Sequence, residues 1–184
     1  MAGDERVGVS VMRLDEGLDT GPVLAVRSTA VAGEDAGHLF DRLALAGADL
    51  LVAVLGDHVA GRIVPVPQPE SGVTVADKIT PQDRPIDWMG SAEVIVNRIR
   101  ALAPRPGATT GFQGTQTKIL GAEAAPGTLE PGEIGADASV GAGEGLVRLT
   151  TVQPAGKQPM PAEAWLRGVH TSAPRFEWPK ADSQ

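Results

Sequence analysis

The sequence predicts an α/β fragment followed by a β-rich unit, and three observations carry that expectation. Two alternating apolar runs flank a polar turn, a stretch of helical period follows them, and beyond a proline-rich segment come short β-prone runs spaced by Gly and Pro. A chain of 184 residues has room for one ordinary domain or two small ones.

Val7, Val9 and Val11 alternate with small or polar residues, and Val23 to Val31 is rich in β-branched residues, so both runs predict strands. The turn between them, Arg13 to Val23, is therefore placed at a sheet rim. It holds three carboxylates, Asp15, Glu16 and Asp19, together with Gly17 and Gly21. A solvated hairpin loop has much the same composition, so turn chemistry alone does not make it a site.

Ala32-Gly-Glu-Asp35 breaks the second strand, and Asp35 is placed to cap a helix. Leu39, Phe40 and Leu43, then Leu50, Leu51, Val54 and Leu55, recur at helical spacing on either side of Gly47. This predicts two short helices or one kinked helix on the sheet. His38 and His58 fall on or beside these faces without a paired ligand at metal spacing, so they read as surface or packing residues.

From Ile63 to Thr80 prolines alternate with apolar and polar residues, which excludes a helix or a central strand and predicts an extended linker. Ser91 is placed to cap the next helix. There Ala92, Ile95, Ile99 and Leu102 share a stripe, Arg98 and Arg100 lie off it, and Pro104 and Pro106 end it. Short runs follow at Gln116 to Leu120, Gly127 to Leu129, Ser139 to Val140 and Leu146 to Val152, suggesting a small closed sheet. Pro161 and Ala162 start a last helix through Trp165 and Leu166, and the tail from Ala173 is expected to fray. Gly141-Ala-Gly-Glu-Gly145 lacks the strand-to-helix setting of a phosphate loop and reads as a turn. Trp88 reads as a packing anchor. With 3% aromatic residues, the core is expected to rest on small aliphatic side chains.

Cysteine is absent, which excludes disulfides, thiolate zinc sites and a cysteine nucleophile. Neither a signal-like run nor a membrane span is seen, so a cytoplasmic location without a membrane partner is expected. Lys and Arg total 16 against 23 Asp and Glu, a formal charge of −7. That balance disfavours a nucleic-acid partner when taken whole, yet its distribution is uneven. Residues 1 to 83 carry 6 cations and 13 acids, whereas residues 84 to 184 carry 10 of each. Val94 to Ala122 is free of acids and holds Arg98, Arg100, Arg105 and Lys118; Gly145 to Ala162 is free of them too and holds Arg148 and Lys157. Chance clustering on a solvated face would give the same pattern.

Gly17-Leu-Asp-Thr-Gly-Pro22, preceded by Met12-Arg-Leu-Asp15, resembles the catalytic loop of the folate-dependent formyltransferases, most closely those acting on methionyl-tRNA. The likeness continues through Asp77-Lys-Ile79, Ile86-Asp-Trp88, Ile99 to Pro106 and Gln153-Pro-Ala-Gly-Lys157, and so covers nearly the whole chain. It implies that residues 1–62 are the end of a Rossmann-like catalytic domain and 63–83 a linker. Residues 84–176 would then be an OB-like barrel that binds tRNA, and 177–184 a tail. It also implies formyl transfer from 10-formyltetrahydrofolate to the amino group of initiator methionyl-tRNA, with no metal and no DNA partner. Asp19 takes the place of the catalytic aspartate, and the backbone at Gly17 and Leu18 would lie against the folate. Lys78, Arg98, Arg100, Arg105, Lys118 and Lys157 become candidates for tRNA phosphates. The asparagine and histidine that complete the family's catalytic set have no counterpart here. The chain is thus expected to be the C-terminal part of such an enzyme and inactive alone. A non-catalytic module binding tRNA or protein, or a formyltransferase acting on another amine, remains the alternative.

Overall fold

The computed structural model describes residues 1–178. They fall into two compact units, one of Asp4–Ala32 with His38–Lys78, the other of Met1–Gly3, Gly33–Gly37 and Ile79 onward.

In the first unit, β1 (Arg6–Met12) and β2 (Val23–Ala30) form an antiparallel pair, in register from Arg6 opposite Ala30 to Met12 opposite Val23, with an irregularity at Val11/Met12. The valines of β1 are half-buried and the residues between them largely exposed, as the alternation requires. One continuous helix, α1 (Ala36–Val59), replaces the two short or kinked pieces expected from Gly47. That glycine is a close-approach residue: a β-carbon there would lie 3.0 Å from Val9 Cγ2. Arg42 ties α1 to β2, donating from Nη1 to Thr29 Oγ1 (2.6 Å) and from Nη2 to the Ala30 carbonyl (2.8 Å). The segment after α1 stays extended, and only Val66 pairs with a strand, exchanging two backbone bonds with Val23 at 2.7 and 2.8 Å. Prolines on both sides of Val66 keep this from growing into a strand.

The second unit opens with a 3-10 turn, Pro81–Asp83, and then α2 (Ala92–Leu102), whose Ser91 cap accepts from the Val94 amide at 3.4 Å. Ala92, Ile95, Ile99 and Leu102 are buried, as their spacing predicts. The sheet runs β3 (Ala108–Phe112), β4 (Thr115–Ala125), β6 (Leu146–Pro154), β5 (Ser139–Gly141), in that spatial order. A short β7 (Met160–Pro161) pairs with β6 and leads into α3 (Ala162–Leu166).

Among the described residues the sheet is open, and the closed barrel expected from the sequence is not found there. Its two edge strands are covered instead by irregular chain. Thr109 of β3 bonds Arg84 and Ile86, and Gly111 exchanges two bonds with Glu177. On β5, Val140 bridges Ile134 and Gly141 bridges Pro131. With those edges occupied, β3 has no free ladder to offer β5.

The tail also departs from expectation. Ile134 N donates to Pro174 O (2.9 Å), Phe176 is buried, and Glu177 pairs with β3, so the chain is held through these residues. Residues 179–184 lie outside the described region. Phe176 also explains the core: its ring stacks on Trp88 (5.3 Å) and on Trp165 (5.7 Å), with Phe112 edge-on to Phe176 and Trp165. Aromatics are few, yet four gather at one point and anchor this unit rather than being diluted through the chain. Trp88 is the expected packing anchor, fully buried with its Nε1 donating to Thr110 Oγ1 (3.0 Å).

Candidate active-site loop and cation cluster

The loop between β1 and β2 is closed at its base by a bond from Arg13 N to Pro22 O (3.0 Å). Its three carboxylates differ in role. Asp15 Oδ1 accepts from Gly17 N (3.1 Å) and from Thr20 Oγ1 (2.7 Å), so this side chain folds the loop onto itself. Glu16 is exposed, while Asp19 lines an open cavity of about 730 Å³ with Leu18, Thr20, Gln68 and the 69–76 segment. The two glycines are constrained unequally, Gly21 by backbone and Gly17 by a side chain. A β-carbon at Gly17 would overlap the Thr20 hydroxyl, and one at Gly21 would overlap the Arg13 carbonyl oxygen.

Asp19 itself adopts φ 57°, in the left-handed region that few side chains other than Asn and Asp enter. Leu18 beside it is 90% exposed. Gln68 reaches this loop from the extended segment, its Nε2 lying 2.8 Å from both the Asp19 and the Gly21 carbonyl oxygens. Reading the sequence alone misses Gln68, because nothing in a Pro-Gln-Pro run marks a residue that closes on a loop 47 residues earlier.

The cation candidates separate into groups. Lys78 is exposed and belongs to the first unit. In the second unit Arg98 Nη1 donates to the carbonyls of Asp83 (3.0 Å) and Pro85 (3.3 Å), and Arg100 bonds the Asn97 side-chain oxygen. Arg105, Lys118 and Lys157 also belong to the second unit, at three places along its sheet: before β3, within β4 and after β6. Lys118 Cδ would lie 3.1 Å from a β-carbon at Gly107, two residues beyond the exposed Arg105. In the ladder Lys118 faces Gln153, whose Nε2 donates to the Lys157 carbonyl (3.0 Å). Arg84, unmarked in the sequence, lies next to the residues that follow Arg105, donating to the Gly107 and Pro106 carbonyls at 3.3 and 3.4 Å.

Residues 78–170 match the family model described as formyl transferase, C-terminal domain, and residues 1–55 match that of formyl transferase. The chain belongs to the formyl transferase family. Among its formyl transferase relatives, the methionyl-tRNA formyltransferase of Acidiphilium cryptum is 46% identical over 170 residues, which is 91% of this chain and 55% of that protein. The corresponding enzyme of Halorhodospira halophila is 46% identical over 176 residues, covering 91% of this chain and 56% of its own length. The chain thus spans about half the length of these relatives. In fold it is similar to HypX from Aquifex aeolicus solved with tetrahydrofolic acid (TM-score 0.70, 20% identity, 89% of this chain and 30% of that one). It is similar also to the sugar 3N-formyl transferase WlaRD (TM-score 0.60, 16% identity, 85% and 57%). Among the described residues no group of three or more His, Asp or Glu is placed to hold a metal, and no helix is long and apolar enough to cross a membrane.

Proposed function

We propose that this chain carries the Asp19 loop and the tRNA-binding unit of a methionyl-tRNA formyltransferase, which moves a formyl group from 10-formyltetrahydrofolate to the amino group of initiator methionyl-tRNA. The observation that carries the proposal is 46% identity to such enzymes over 91% of the chain, with the Asp19 loop inside the stretch that matches the formyl transferase model. In this reading the first unit is the end of a Rossmann-like catalytic domain, and the second is an OB-like domain whose cation cluster holds tRNA phosphates.

Formyl transfer requires the amine to lose a proton, an oxyanion to be stabilised and the departing folate nitrogen to be protonated. Asp19 supplies a carboxylate for the proton traffic, orienting a histidine or a water. The folate lies along Gly17 and Leu18, where backbone groups face a flat heterocycle and the Leu18 side chain covers it. Side-chain amide and imidazole groups for the oxyanion come from the segment of the transferase that this chain does not hold.

The test is kinetic, in the transferase completed by the segment bearing that asparagine and histidine. Asp19→Asn should lower kcat by a factor on the order of 10² or more, the usual scale for a lost proton-transfer group, and leave tRNA affinity within about twofold. An unchanged rate would remove Asp19 from the catalytic set.

A further inference from the structure

Gln68 lies outside every role assigned above, yet it makes the two bonds that fix the backbone on either side of Thr20. The pairing of Val66 with Val23 sets an antiparallel register in which Gln68 falls opposite Gly21. Where a ladder would place the next backbone bond to Gly21 O, the side-chain amide makes it, at 2.8 Å. Nε2 also lies 2.8 Å from Asp19 O, and its contact with Met12 Sδ is longer at 3.9 Å, so its two protons serve the two carbonyls of the loop. The reverse orientation of the amide would set Oε1 against two carbonyl oxygens, and so the contacts themselves assign the donor. Asp19 needs such a hold, because its left-handed backbone is disfavoured for a residue with a β-carbon, and Leu18 and Thr20 around it have solvent on one side.

From this geometry we infer that Gln68 is a positioning residue: by donating to the Asp19 and Gly21 carbonyls it locks the loop in the conformation in which Asp19 lines the cavity. The inference rests on the reading of Asp19 as the catalytic carboxylate. It concerns the amide donor and not the bulk of the side chain. Glutamate has the same shape, offers only acceptors at neutral pH, and would repel both carbonyls.

The test uses the full chain at pH 7 and nuclear magnetic resonance, with tetrahydrofolate as the ligand probe. In the wild type, through-hydrogen-bond couplings are expected from Gln68 Nε2 to both carbonyl carbons. Gln68→Glu and Gln68→Ala should each displace the Asp19 and Gly21 carbonyl resonances while those of the β1–β2 ladder stay put. Both should also weaken tetrahydrofolate-induced shifts at Gly17 and Leu18 at least tenfold in affinity. Retention of wild-type resonances and affinity by Gln68→Glu overturns the inference, since the side chain would then act by filling space. Absence of both couplings in the wild type overturns it without any variant. If the couplings are present and tetrahydrofolate shifts nothing, the folate reading of the site falls while the hold of Gln68 on the loop stands.

Discussion

Gly21 shows how little freedom the loop between β1 and β2 has. Its α-carbon faces the Arg13 carbonyl closely enough that any β-carbon overlaps the oxygen, and the contact is with backbone, which cannot swing aside as a flexible side chain can. The neighbouring bonds, Gln68 to Gly21 O and Arg13 N to Pro22 O, pin the two consecutive peptides on either side of Pro22. Gly21→Ala is therefore expected to open the loop locally. Amide exchange at Arg13 and Gly17 should quicken at least tenfold, and the second unit should keep its stability within about 0.5 kcal/mol, the range for changes that touch no packed feature. Unchanged exchange at Arg13 would mean that the loop accommodates the methyl group, and that its shape is not fixed by the approach of the two backbones.

At the scale of elements, the 3-10 turn Pro81–Asp83 is held by one carboxylate. Asp83 Oδ2 accepts from Thr80 N (2.7 Å) and Thr80 Oγ1 (2.8 Å), and Arg98 donates to the Asp83 carbonyl. The backbone bond from Thr80, then its hydroxyl, hold the Asp83 carboxyl below the usual aspartate range, with a smaller contribution from the Arg98 charge. The folded value is lower than the unfolded one. The turn's stabilisation is thus complete above the unfolded value of about 3.9 and is lost as pH falls through the folded value. A carboxyl-carbon titration should place the Asp83 midpoint below the usual aspartate range, and Thr80→Val should move it upward. A midpoint that Thr80→Val leaves in place would show that the Thr80 contacts do not persist in solution. This turn was not legible in the sequence, because its carboxylate lies in a Pro-rich run that offers no periodicity. The helix from Ala92 was legible, since its cap, its buried stripe and its terminating prolines all agree. The strands were legible where residues alternate, as in Val7 to Val11, and obscure in Ala108 to Phe112, where Ala, Thr and Gly carry no apolar pattern. Sheet closure could not be read at all, because the edges of β3 and β5 are occupied by irregular chain, including the segment around Glu177.

Over the whole molecule the two units differ in what they bury and in what charge they carry. Helix α1 covers only one side: Leu50 is buried, but Phe40, Leu55 and Val59 are 72%, 50% and 79% exposed on another. A helix apolar on both sides normally lies inside a larger core, so concentrated chain is expected to self-associate or bind an apolar dye. Phe40→Lys with Leu55→Lys should abolish that behaviour, and a wild-type monomer that binds no dye would contradict it. Charge sets the last expectation. Acids outnumber cations in the first half of the sequence, whereas Arg105, Lys118 and Lys157 all belong to the second unit. If these three contact tRNA phosphates, each contact contributes roughly 0.7 to 0.9 to the slope of log affinity against log salt. Replacing the three together by alanine should then flatten the slope by about two units. Arg98 behaves differently, because its Nη1 is already engaged by the Asp83 and Pro85 carbonyls, so Arg98→Ala should cost stability more than slope. Titrations of tRNA at several salt concentrations, with the fold checked by circular dichroism, separate the two effects. A slope unmoved by the triple replacement in folded protein would leave the cluster as solvated surface and place the tRNA contacts elsewhere.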